Sequence, residues 1–281
     1  MEIRTIRGDD LNFAAQCTQG EGWISETRVD FGIFHNHDPA GCFIASDKGQ
    51  RIGICMATRY EHVGFIGQLI VIPEKRETGI GRRLLTAAID YLNSFHLRNI
   101  YLDGVPRAIS LYKQAGFHEI CPSLRFMGTI DGRSVPSVRN MTPDDFKDVA
   151  RLDREAFGSD RSDFLLQRFK RYTYLGKVLE VNHQILGFIM GKARENLVVA
   201  GPWIVSPAVE HPQDLFISLG SVVPGIPISL GVLADSRQAV RLLKQLNLYA
   251  REYPPTRMGL YKKEHLSNPG MCFAVGSPAK G

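Results

Sequence analysis

Apolar positions in this chain switch between two spacings, and the switches outline its elements. Glu2–Ile6 alternates apolar and polar residues, predicting a strand; helix-spaced positions follow from Asp9 to about Phe34. Cys42–Ser46 and Ile52–Tyr60 alternate on either side of a polar turn, the pattern of a β-hairpin. "FIGQLIVI", Phe65–Ile72, reads as a buried strand. In the following segment Leu84, Leu85, Ala88, Ile89 and Leu92 fall on one helical face. A strand at "NIYLDGV", a helix over Arg107–Ala115 and a last strand over Phe117–Met127 complete a mixed α+β unit.

The same order of patterns recurs. "IRTIRGDDLNFAAQC" corresponds to "VRNMTPDDFKDVARL" from Val138, with paired aspartates placed to cap and charge-stabilise a helix start. The hairpin "GCFIASDKGQRIGICMATRY" corresponds to "GKVLEVNHQILGFIMGKARE", and "RAISLYKQAGF" to "QAVRLLKQLNL". Three matches in one order at an offset of about 130 residues, far beyond solenoid periods, indicate duplication of one α/β unit. The expected division is a first domain at 1–130, a linker at 131–137, a second domain at 138–266 and a loosely ordered tail at 267–281. A length of 281 residues suits two domains.

Composition narrows the function. The chain is 44% hydrophobic and 22% charged, ordinary for a globular protein. A net charge of +5 suits a phosphate-bearing ligand, and the basic residues are too scattered for a nucleic-acid face. Five cysteines without a CxxC pair read as reduced thiols. No apolar run reaches the roughly 18 residues of a membrane span, and the N-terminus has no signal-peptide core. The expectation is a cytoplasmic protein without nucleic-acid or membrane partners.

"PEKRETGIGRR", Pro73–Arg83, joins the buried strand to the helix. Gly79 and Gly81 can present backbone N–H groups unobstructed, and a helix N-terminus favours an anion by about 0.3–1 kcal/mol. Leu84 breaks the dinucleotide fingerprint, and no Gly-Lys-Ser/Thr follows. For an isolated Gly-x-Gly a solvated helix start with a tight turn is the favoured reading.

"LIVIPEKRETGIGRRLL" resembles the acyl-CoA signature of the GNAT N-acetyltransferase superfamily, a strand ending V-x-P followed by R/Q-x-x-G-x-G/A: here Val71, Pro73, Arg76, Gly79 and Gly81. "AISLYKQAGF" resembles a later element of the same superfamily. "EGWISETRVDFGIF" and "TRM" (Thr256–Met258) are similar to a tandem group with an active first copy and a divergent second. The resemblance implies two domains, each a mixed, mostly antiparallel sheet flanked by helices. It implies acetyl-CoA as co-substrate, held by Leu69, Ile70, Val71, Arg76, Glu77, Thr78, Gly79, Ile80, Gly81 and Arg82. Tyr112 would protonate the departing thiolate. Where the family often carries Asn, Val105 stands, which removes one cofactor contact.

The general base is less determined. Asp103 ends the "IYLDG" strand, where it fits a base and a turn cap equally; Glu21, Glu26 and His62 are weaker choices. His35 and His37 have no further ligand set nearby in sequence, and no metal is expected. Trp23 lies where the superfamily builds its acceptor pocket. Asp160, Arg161 and Arg257 resemble recurring elements of the tandem group, readable as substrate contacts or as a buried ion pair.

The second copy has Leu243 opposite Tyr112, and Asn247 and Leu248 opposite Gly116 and Phe117; no R-x-x-G-x-G follows its central strand. It is not expected to transfer acetyl groups; completing the acceptor pocket or forming a homodimer surface remain as roles. The resulting expectation is acetyl transfer from acetyl-CoA to a small-molecule amine by direct attack. A protein-lysine acetyltransferase and a non-catalytic acyl-CoA sensor are the alternatives.

Overall fold

The computed structural model describes residues 1–23, 26–277, 279 and 281. The chain forms two compact units. Unit one comprises Met1–Glu119 and Met258–Lys263; unit two comprises Ile120–Arg257, Glu264–Ala279 and Gly281.

In unit one the order is β1 (Glu2–Thr5), α1 (Leu11–Gly20), α2 (Arg28–His37), β2 (Cys42–Asp47), β3 (Gln50–Arg59), β4 (Val63–Val71), α3 (Ile80–Asn93), β5 (Asn99–Gly104) and α4 (Ile109–Gln114). Strands β1 to β5 lie side by side in chain order, antiparallel except for the parallel β4–β5 pair. α3 buries Leu84, Leu85, Ala88 and Leu92, the face its periodicity marks. These side chains share one core with Ile100, Leu102, Tyr112, Phe117 and Met258.

Unit two repeats the order. It contains most of β6 (His118–Gly128), then β7 (Val138–Asn140), α5 (Phe146–Phe157), α6 (Ser162–Arg171), β8 (Lys177–Val181), β9 (Gln184–Arg194), β10 (Leu197–Val205), α7 (Gln213–Gly220), β11 (Ile228–Leu233), α8 (Arg237–Gln245), β12 (Tyr249–Ala250), the start of β13 (Thr256–Gly259) and β14 (Cys272–Ala274). Its strands run β6-β11-β10-β9-β8-β7, with β10 and β11 again parallel. Trp203 centres the core, stacked on Phe216 at 5.4 Å and against Phe273 at 5.0 Å.

The duplication extends to single hydrogen bonds. Arg4 Nη1 donates to Asp10 Oδ2 at 2.7 Å, and Arg139 Nη1 to Asp145 Oδ2 at 2.7 Å. Each carboxylate also accepts a backbone N–H, from Arg7 at 2.8 Å and from Thr142 at 2.7 Å. Burial alone would raise the Asp10 carboxyl, but Arg4, the Arg7 N–H and Arg51 outweigh it and hold it well below the carboxylate range. Arg139 chiefly does the same for Asp145.

Two expectations need correction. The expected loose tail at 267–281 is ordered in part: Cys272–Ala274 form β14 against β10, with Met271 and Phe273 buried. The strand expected to close the first copy lies mainly in unit two, where Ser123–Gly128 pair with Ile228–Leu233. Unit one instead takes Met258–Lys263, and Leu260 N–H donates to the Ile100 carbonyl at 2.9 Å. Alternating residues specify a strand but not its neighbour, so the sequence pattern cannot distinguish these arrangements.

Candidate functional site

The parallel β4–β5 ladder covers only Val63–Phe65 against Asn99–Tyr101. On its other side β4 pairs with β3 as far as Val71. Gly67–Val71 therefore has no ladder partner on the β5 side among the described residues. The register slips here, and Gln68 takes φ 51°, bulging the strand at the opening. Ile72 N–H donates to Ile52 of β3 at 3.0 Å. Successive residues point opposite ways, so the Val71 N–H and carbonyl face the opening. Arg76 Nε, donating to the Val71 carbonyl at 3.0 Å, agrees with that orientation.

The loop turns into α3 through two left-handed residues, Glu77 at φ 62° and Gly79 at φ 83°. Arg83 N–H makes the first intrahelical bond, to the Gly79 carbonyl at 3.1 Å. The N–H groups of Ile80, Gly81 and Arg82 precede it and have no intrahelical acceptor. A Cβ at Gly81 would meet Val71 and Leu111 side chains at 3.8 Å, ordinary contact. Packing does not demand glycine at 81. The bare backbone leaves space outside the helix, and the contact brings the ends of β4, α3 and α4 together.

Arg76 and Arg107 both donate to Glu21, whose carboxylate is nearly buried. Glu21 is thus committed to two guanidiniums, and Arg76 to a carbonyl and a carboxylate. Arg82 donates to Gln114 across α3 and α4, while Thr78 Oγ1 closes the loop on the Lys75 carbonyl at 2.7 Å.

Tyr112 lies on α4, buried, its ring edge-on to Phe117 at 6.2 Å. A Cβ at Gly104 would come within 2.9 Å of that ring, so the end of β5 must be glycine for α4 to approach. Burial, then Cys55, pushes the Tyr112 phenol well above its ordinary pKa, with Arg107 opposing. It remains a protonated acid at neutral pH. Asp103 is half-buried on β5. Ile100 and Leu102 pack with Tyr112, whereas Tyr101 meets Phe65 at 5.5 Å. By alternation Asp103 shares the face of Tyr101, opposite to Tyr112.

The other expected residues separate. Leu69 and Val71 are half-buried and Ile70 is buried on β4. Trp23 follows α1, half-buried, with its backbone N–H on the Thr18 carbonyl at 2.9 Å. Asp160 caps the start of α6 through the Ser162 N–H at 2.8 Å. Arg161 is corrected: both its Nε and Nη2 reach Asp153 at 2.8 Å, its guanidinium covers the Phe157 ring, and burial removes it from any substrate surface. Arg257 is also buried in unit two. His37 Nε2 contacts the Arg59 carbonyl at 3.1 Å, and His62 lies 3.7 Å from Glu61. Gln68, Gly104 and Arg107 escaped the sequence reading. Only Gly104, a glycine ending a strand before a helix, left a local signal.

Unit two fills the corresponding opening. β10 and β11 pair only over Val198–Ala200 and Ile228–Leu230. Beyond them Trp203 and Ile204 pair with Ala274 and Cys272 of β14, and Val275 N–H donates to the Gly231 carbonyl at 2.9 Å. A Cβ at Gly201 would lie 2.1 Å from the Val275 carbonyl oxygen. The tail occupies the slot.

Comparison with known proteins agrees with the two-unit architecture. Residues 9–117 match the acetyltransferase (GNAT) family, and residues 149–271 match an acetyltransferase (GNAT) domain. The uncharacterized N-acetyltransferase YitH of Bacillus subtilis is 24% identical over 246 residues, 85% of this chain and 83% of that protein. A crystal structure from Pyrococcus horikoshii superposes with TM-score 0.83 at 20% identity, covering 100% of this chain and 95% of the other. A GCN5-related N-acetyltransferase from Sphaerobacter thermophilus superposes with TM-score 0.66 at 13% identity, covering 99% and 98%.

Proposed function

The chain belongs to the GNAT acetyltransferase family, with two such domains in tandem, and is an acyl-CoA-dependent N-acyltransferase; from that premise we propose that unit one moves an acetyl group from acetyl-CoA to a small-molecule amine by direct attack. One observation carries the reading: the unpaired edge of β4, the glycine-bearing start of α3 and the helix carrying Tyr112 meet at one opening.

Acetyl-CoA supplies the thioester that the amine attacks. The N–H groups of Ile80, Gly81 and Arg82 suit its pyrophosphate, with Glu77, Thr78 and Gly79 shaping their approach. The open edge from Leu69 to Val71 suits its pantetheine arm as an added strand. Arg76, held by Glu21 and the Val71 carbonyl, positions strand and loop rather than touching the reacting atoms. The Val71 N–H polarises the thioester carbonyl.

Attack forms the C–N bond and breaks the C–S bond. The Tyr112 hydroxyl gives its proton to the departing thiolate, and the amine loses one to Asp103 or to water leading there. Acid and base act from opposite faces of the sheet, so the amine enters from the face of Asp103 and the thiol leaves on the face of α4.

The test is thiol release from acetyl-CoA across a panel of small amines and lysine peptides, with Tyr112→Phe alongside. Turnover with a small amine that falls at least about tenfold in the variant is expected for a positioned acid. Turnover confined to peptides would overturn the acceptor class, and cofactor binding without turnover would overturn the transferase reading.

A further inference from the structure

Unit two holds a side-chain cluster that acyl transfer does not use. Cys121 on β6, Asp235 just after β11 and His265 beyond β13 place their Sγ, carboxylate oxygen and ring nitrogen within 4.8 Å of one another. His265 Nε2 lies 3.4 Å from Cys121 Sγ and 3.3 Å from Asp235 Oδ2. Cys121 is buried, His265 nearly so, and the Asp235 side chain is 49% exposed.

Hydrogen bonding gives this arrangement one ring nitrogen for two partners. Both partners approach the same ring nitrogen, which is either a donor or an acceptor. As a donor it has one proton to share between the Asp235 carboxylate and the thiol sulfur. As an acceptor from the thiol it turns a lone pair toward the carboxylate. A Cys–His–Asp triad would use the two ring nitrogens separately, so nucleophilic catalysis does not fit either.

A cation would use all three groups at once, each as a lone-pair donor. Zinc–sulfur bonds near 2.3 Å and zinc–nitrogen or zinc–oxygen bonds near 2.0 Å imply tetrahedral edges of about 3.3–3.6 Å. The two separations above fall in that range. Two of the donors come from segments that a backbone bond fixes: Ala234 N–H donates to the Pro122 carbonyl at 2.9 Å, tying the residue before Asp235 to the one after Cys121. Asp235 opens the cluster to solvent, which provides an entry path and a fourth position for water.

We propose that Cys121, Asp235 and His265 form a binding site for a thiophilic divalent cation of the zinc type, with three protein ligands and one open position. Thiolate and imidazole select zinc over magnesium or calcium. In this chain the site ties β6, the start of α8 and the segment after β13 together within unit two.

The experiment uses tag-free, metal-stripped full-length protein titrated with Co²⁺ as a spectroscopic probe and with Zn²⁺ against a chromophoric chelator. One equivalent of Co²⁺ should give thiolate-to-cobalt charge-transfer absorption, displaced by Zn²⁺. Cys121→Ser should abolish that band. His265→Gln and Asp235→Asn should each weaken Zn²⁺ by at least the roughly 10–100-fold typical of losing an outer partner. Asp235→Asn changes a half-exposed side chain, so it reports on binding even if Cys121→Ser fails to fold. Circular dichroism checks each variant. Absence of the band in folded wild-type protein, its persistence in Cys121→Ser, or unchanged Zn²⁺ affinity in Asp235→Asn would overturn the site.

Discussion

The two units place one chain design under two demands. Both carry the Arg–Asp clasp at the first helix and a parallel strand pair that separates after three residues. In unit one the separation stays open beside Gly67–Val71. In unit two β14 enters it, and Phe273 becomes a core residue against Trp203. The difference teaches that losing a ligand slot involves more than losing motif residues. An unpaired strand edge is costly unless something pairs it; the tail supplies that pairing in unit two, where the proposed reading gives it to acetyl-CoA in unit one. The turn after the last helix survived the change: Gly116 at φ 95° corresponds to Asn247 at φ 60°, asparagine being the residue that best tolerates that conformation after glycine.

The comparison can be broken at several points. The largest effect is expected at Tyr112: the phenylalanine variant should lose about 10²–10⁴-fold in kcat while acetyl-CoA affinity holds, read by steady-state kinetics and calorimetry. Next comes the filled slot. Phe273→Ala removes a buried ring and should cost about 3–5 kcal/mol by denaturant unfolding, leaving acetyl-CoA affinity in unit one unchanged. A loss of cofactor binding in that variant would show that the tail does more than fill unit two.

Glycines offer a sharper contrast. Gly81→Ala meets only ordinary contacts and should shift unfolding by less than about 0.5 kcal/mol. Gly201→Ala forces a Cβ onto the Val275 carbonyl at φ 135° and should cost several times more. Equal effects would remove the distinction between an open and an occupied slot.

The smallest effect concerns acid stability. The Asp10 and Asp145 carboxyls are held below their unfolded values, so their stabilisation is present above roughly pH 4 and is lost as pH falls through the folded values. Asp10→Asn and Asp145→Asn should each flatten the fall in stability below that pH. Because Asp10 also accepts from Arg51 Nε at 2.6 Å while Asp145 has Arg139 as its guanidinium, the Asp10 change should be the larger.

What the sequence made legible was local. The face of α3, the Gly79 turn and the order of elements depend on residues within a turn or two of each other. The commitment of Glu21 to Arg76 and Arg107 was not legible, because it closes over 55 and 86 residues. Cys121 and His265 meet across 144, so neither carries ligand spacing in the sequence. The role of the tail was hidden for another reason. A short Gly- and Pro-flanked segment resembles a loose end until a specific neighbour, here Trp203, buries it. Arg161 differs: family likeness left a substrate contact and a buried ion pair both open, and Asp153, eight residues earlier, takes its Nε and Nη2.

The central claim is that one unit keeps the cofactor slot open and the other has closed it. Isothermal titration of acetyl-CoA into the wild-type protein and into Gly81→Asp tests it most directly. The substitution has room, and a carboxylate in the first helical turn favours the helix while repelling a pyrophosphate. One molecule bound per chain and none in the variant is expected, with the circular dichroism of both proteins alike. Two molecules per chain, or one that survives Gly81→Asp, would contradict it.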